Sequence, residues 1–167
     1  MRSYKHLQKK QYDHAQISED LFCDITGAVK GSKEDDFNHI DCRLDGKTYD
    51  VKGIKSCHKK GYILVELKNV QGKSGWCSRD GADKIAFQFY DCFIVVDNMT
   101  LYKFARQKAI DNHNPKKPIW RENSLHKKYG YNSILYRCIG RKGREDVFMY
   151  ITKDDLMSLK EKIYNTK

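Results

Sequence analysis

Residues 37–70, FNHIDCRLDGKTYDVKGIKSCHKKGYILVELKNV, decide the fold. Asp45-Gly46 separates two alternating polar–apolar runs, the sequence signal of a tight hairpin. A third run, Tyr62 to Val70, is entered through a basic turn at 55–61. The stretch predicts a three-stranded antiparallel meander. With Asp45-Gly46 as a two-residue turn, Leu44 faces Lys47 and Asp41 falls opposite Asp50. With the next turn centred on His58, Asp50 falls opposite Glu66. Alternation then puts His39, Asp41 and Arg43, Thr48, Asp50 and Lys52, and Leu64, Glu66 and Lys68 on one sheet face. Ile40, Cys42, Leu44, Tyr49, Val51, Val65 and Leu67 take the other face, as core.

Carboxylates directly opposed on neighbouring strands lie about 5 Å apart and repel. A divalent cation removes that penalty. Mg²⁺ is bound by a few carboxylates and keeps waters for a phosphate substrate. The competing account is a solvated face whose acids are balanced by Arg43, Lys52 and Lys68. Geometry alone leaves both open.

Upstream, residues 1–11 read as a basic arm. Ile17, Leu21, Ile25 and Ala28, widened by Ala15 and Phe22, predict a helix over 12–28 that Gly27 and Gly31 stop. Downstream, QGKSGWCSRDG is a glycine-bearing loop. ADKIAFQFY and CFIVVD read as buried strands, and Thr100 to Ile110 as an amphipathic helix. A long basic loop covers 111–133. ILYRCIG and VFMYIT form a second hairpin around RKGRED, and Asp154 to Tyr164 a closing helix. The fold class expected is α+β: a helix, then a meander extended into a mixed central sheet with flanking helices. One domain is expected over 12–167, with its core at 12–110 and a C-terminal hairpin and helix at 134–167.

The 167 residues carry 32 Lys+Arg against 22 Asp+Glu, a formal charge of +10, which favours an anionic partner, nucleic acid above all. No apolar run approaches the roughly 20 residues of a membrane span, so no membrane partner is expected. The basic N-terminus lacks a signal-peptide core, and the six cysteines form no C-x-x-C pair. Both features suggest a reducing, cytoplasmic setting, the host cytoplasm if the protein is phage-encoded. No P-loop and no G-x-G-x-x-G is present.

An acid in an early helix, an aspartate in one strand and Glu-x-Lys in the next is similar to the PD-(D/E)XK nuclease superfamily. That superfamily includes archaeal Holliday junction resolvases and many restriction enzymes. The string HID…DVKG…VELKNVQGKSGW…ADKIAF also resembles small phage-type nucleases. The resemblance implies a restriction-endonuclease-like core and a Mg²⁺- or Mn²⁺-dependent endonuclease that hydrolyses phosphodiesters, DNA being the expected substrate. Asp50 and Glu66 would be metal ligands, with the Leu67 carbonyl completing the shell. Lys68 would be the motif lysine and Glu19 the helix acid. Asp41 would be an added ligand or outer acid, with His39 a further candidate. An alternative register uses Asp41 with Asp50-x-Lys52.

Lys52, Lys55, Lys59, Lys60, Lys73, Arg121, Lys127, Lys128, Arg141 and Arg144 would hold the nucleic-acid backbone, and Trp76 would stack on a base. The rival classes are a non-catalytic nucleic-acid-binding protein or inactive nuclease relic, and a phage protein that binds a host protein. A homodimer is left open.

Overall fold

Asp45 and Gly46 hold positive φ, 52° and 74°, as a two-residue type I′ hairpin turn demands. In the computed structural model they join β2 (Cys42–Leu44) to β3 (Lys47–Lys52), with Leu44 opposite Lys47 and Cys42 opposite Tyr49. The Asp41 N–H donates to the Tyr49 carbonyl at 2.8 Å. The expected ladder stops there: Asp41 and Cys42 both face Tyr49, so Asp41 is not the cross-strand partner of Asp50 and approaches it instead through its side chain, which reaches the Val51 N–H. The structure describes residues 4–32, 34–35, 38–55, 57–112, 130–141 and 143–167, with the backbone alone over 4–13.

The α+β class holds. A six-stranded mixed sheet runs β1 (Val29–Lys30), β2, β3, β5 (Lys84–Gln88), β6 (Cys92–Asp97) and β9 (Lys160–Asn165). A second, three-stranded sheet runs β4 (Tyr62–Lys68), β8 (Val147–Thr152) and β7 (Ile139–Gly140). The expected third strand of the meander is corrected here. β4 leaves the first sheet and pairs antiparallel with β8, with Glu66 opposite Phe148. β5 takes the place beside β3, and takes it parallel, with Asp50 level with Ile85 and Lys52 with Phe87. The reason is burial: Ile85, Ala86 and Phe87 are all inaccessible, the pattern of a central strand covered on both faces.

Helix α1 (Tyr4–Thr26) covers one face of the large sheet through Phe22, which packs on Tyr49, Phe93 and Tyr164. It begins well before residue 12, so the segment read as a basic arm is helical from Tyr4. The small sheet, α2 (Asn98–Asp111) and α3 (Lys153–Leu159) contribute to the cluster on the other face, which holds Ile63, Val65, Ile85, Phe87, Leu101, Met149 and Leu156. Asp97 caps α2, accepting from the Thr100 N–H at 2.8 Å.

The closing helix is also corrected. α3 starts on a capping box between Thr152 and Asp155 but ends at Leu159. KEKIYN then runs as β9 along β6. Without it the apolar strand CFIVVD would present a bare sheet edge. The six cysteines are free thiols. Among the described residues no helix is long and apolar enough to cross a membrane.

Candidate active site

Asp50 lies level with Ile85 on β5, so its carboxylate points into the layer between the two sheets, where it is 2 % exposed. An isolated charge there is costly unless it is paired. Its partner is two residues along the same strand. The Lys52 ammonium is 2.6 Å from Asp50 Oδ1 and sits 4.8 Å from the centre of the Trp76 ring. Asp50 Oδ2 is buried with no hydrogen-bond partner among the described residues.

Asp41 completes the centre. Its Oδ2 accepts the Val51 N–H at 2.6 Å. Burial and the neighbouring Asp50 carboxylate push Asp41 up to about 7, and Glu19 on α1 adds in the same direction. Glu66 approaches from the second sheet. Burial raises its carboxyl, while Lys52, His39 and Lys55 pull it down, as does a backbone hydrogen bond from Trp76. Glu19, Asp41, Asp50, Lys52 and Glu66 therefore converge on one electrostatic neighbourhood, although the expected cross-strand pairing of Asp50 with Glu66 does not form.

The other expectations divide. Lys68 is exposed at the end of β4, past an irregularity between Glu66 and Lys68, so Lys52 and not Lys68 is the lysine at Asp50. The Leu67 carbonyl accepts the Gly75 N–H at 3.1 Å and belongs to a loop closure. Trp76 is corrected from base-stacker to wall: it is 5 % exposed and meets Phe87 edge-on at 5.9 Å. His58, part of the basic turn, is buried against Phe89, and burial lowers it to about 4. Lys55, Lys59, Lys60, Lys73 and Arg144 are exposed. Arg141 is committed to the buried Asp146 through its Nε. Arg121, Lys127 and Lys128 lie outside the described residues.

Protein-family models, curated proteins and solved structures all return no match to the chain.

Sequence reasoning missed what braces the site. Asn98 Nδ2 donates to the carbonyls of Trp76, Ser78 and Ala82, fixing the loop that carries the Trp76 wall. Gly53, directly after Lys52, lets α1 lie against the strand: a Cβ there would stand 2.5 Å from Ser18 Oγ. Ser18 Oγ donates to Gln88 Oε1 at 2.7 Å and so ties the helix of Glu19 to β5. A glycine closing a strand is the one available signal of such an approach. Gly53→Ala is expected to lower stability by about 1–3 kcal/mol, the usual range for overpacking. Adding Ser18→Ala should recover part of the loss. Thermal melts of the single and double variants check this, and additive losses would refute the contact.

Among the described residues no three His, Cys, Asp or Glu side chains form a group able to hold a metal ion. The two-carboxylate set of Asp41 and Asp50 nevertheless suits Mg²⁺, which commonly uses one or two carboxylates, waters and substrate phosphates. A cation between them would satisfy Asp50 Oδ2, which has no hydrogen-bond partner among the described residues, and relieve the repulsion that raises Asp41.

Proposed function

We propose that the protein is a metal-dependent nuclease that hydrolyses phosphodiester bonds in DNA at Asp41, Asp50 and Lys52. The observation that carries this is the buried Asp50 carboxylate, repelling the half-buried Asp41, with the Lys52 ammonium at 2.6 Å and one Asp50 oxygen without a hydrogen-bond partner among the described residues. Stability alone does not favour such an arrangement. It supports the register that uses Asp41 with Asp50-x-Lys52, and gives Lys68 no part. The hairpin that brings Asp41 to Asp50, and the helix acid Glu19 nearby, agree with the PD-(D/E)XK resemblance.

Asp41 and Asp50 would hold Mg²⁺ or Mn²⁺. When bound, the ion supplies charge neutralisation at the phosphate and a lowered pKa for water. Lys52, steadied by the Trp76 ring, is set to stabilise negative charge as it develops on the phosphate oxygens. Glu66 and Glu19 add negative potential that favours cation uptake. The +10 charge draws the polyanion in.

Incubation of purified protein with supercoiled, linear and branched DNA tests the proposal. Cleavage is expected with Mg²⁺ or Mn²⁺ and none with EDTA. Binding without cleavage under every metal condition would favour a non-catalytic nucleic-acid-binding protein instead.

A further inference from the structure

A second feature lies beyond Lys52, at the tip of the β5–β6 hairpin. The Phe89 N–H donates to the Cys92 carbonyl at 2.8 Å, leaving Tyr90 and Asp91 as the turn. Tyr90 is 69 % exposed, an unusual position for a large ring. The Lys59 ammonium stands 5.7 Å from its ring centre. Lys60, next in the chain, is 5.6 Å from the Tyr131 ring, and Lys153 is 4.6 Å from that of Phe89.

These groups are held in place. The His58 ring stacks on Phe89 at 5.6 Å, and its Nδ1 lies 3.3 Å from the Gln88 carbonyl, so the 3-10 turn His58–Lys60 is docked on the end of β5. The Lys153 N–H donates to the Gly61 carbonyl at 2.8 Å, which fixes the third lysine beside that turn. Tyr90 is three residues past Phe87, the register partner of Lys52. Extended chain of that length puts Tyr90 at most about 10 Å beyond the level of Lys52 and about 16 Å beyond that of Asp50, which faces Ile85.

An exposed ring under one lysine, with two more lysines over neighbouring rings on the adjoining turn and strand end, near the proposed active centre, matches how proteins hold unpaired nucleotides. Bases stack on aromatic side chains while lysines track the backbone. In a duplex the base faces are already stacked, so this ring has nothing to receive there. We infer that Tyr90 is the stacking platform for an unpaired base of single-stranded nucleic acid, with Lys59, Lys60 and Lys153 taking its phosphates. The inference rests on the nucleic-acid function proposed above and names its substrate class.

The test is fluorescence anisotropy with a labelled single-stranded oligodeoxynucleotide and its duplex, in EDTA so that cleavage plays no part. Tyr90→Ala should weaken single-strand binding about tenfold, the scale of one lost base stack. It should leave duplex binding within about twofold, because bases in a duplex offer the ring no free face. Tyr90→Phe keeps the ring and should bind like wild type. Equal single-strand affinity in wild type and Tyr90→Ala would overturn the inference. So would a parallel loss on single strand and duplex, or no single-strand binding by wild type. Failure of the nuclease proposal reads out separately, as absent metal-dependent cleavage in a wild type that still discriminates through Tyr90.

Discussion

Lys52→Met is expected to reduce DNA cleavage by about 10²–10³-fold, the usual effect of removing one donor that stabilises transition-state charge. Lys68→Met is expected to stay within about threefold of wild type, the scale on which an exposed lysine not paired with Asp50 acts through weak charge effects. The two lysines occupy the same place in two acid-x-lysine pairs, and only the fold separates them. Lys52 touches Asp50 and is held over Trp76, whereas Lys68 is exposed at the end of a strand in the other sheet. Substrate affinity should change little in either variant, because the Lys52 interaction matters chiefly in the transition state. Methionine keeps the apolar stem against the ring. Loss of the ammonium leaves Asp50 without its counter-charge, so the melting temperature is measured alongside. Activity in Lys52→Met with loss in Lys68→Met would return the site to Glu66-x-Lys68.

Asp41→Asn is expected to abolish cleavage while stabilising the metal-free protein at pH 8. Burial and the Asp50 carboxylate hold the folded Asp41 at about 7 against an ordinary 3.8. The folded state therefore binds more protons than the unfolded one between those values. Stability contributed by this group is full below about pH 4 and lost as pH rises to about 7. Asparagine still accepts the Val51 N–H but carries no charge at any pH. The melting temperature of the variant should match that of wild type near pH 4 and exceed it above pH 7, when both are measured in EDTA. Adding Mg²⁺ at pH 8 should raise the wild-type melting temperature and leave the variant unmoved. A variant less stable than wild type at pH 8 in EDTA would contradict the buried-charge account.

Much of this was legible in residues 37–52. Asp45-Gly46 fixes a two-residue turn, and a two-residue turn fixes register as far as Cys42 opposite Tyr49; the step at Asp41, whose side chain then reaches Val51, left no mark in the alternation. The apolar strands IAF and FIVV were equally plain, because burial on both faces leaves a local mark, and the amphipathic helix read from Thr100 begins two residues earlier, at Asn98.

The partner of β4 was not legible. Alternation says which face of a strand is buried but not which strand lies beside it. The seven-residue basic turn fits a meander as well as a crossing into a second sheet. Assigning Glu66 and Lys68 to the centre of the site followed from that choice of neighbour. Trp76 misled for a related reason. Its loop is rich in glycine and charge, yet Asn98, a residue distant in sequence, folds the loop inward. KEKIYN alternates too weakly to announce a strand until β6 offers it an edge.

Titration calorimetry of Mn²⁺ into the wild type, Asp50→Asn and Lys52→Met tests most directly whether Asp41 and Asp50 form a metal centre. One site is expected in the wild type, none in Asp50→Asn, and an intact or tighter site in Lys52→Met, where the competing ammonium is gone. Equal Mn²⁺ binding by wild type and Asp50→Asn, or none by either, would contradict it.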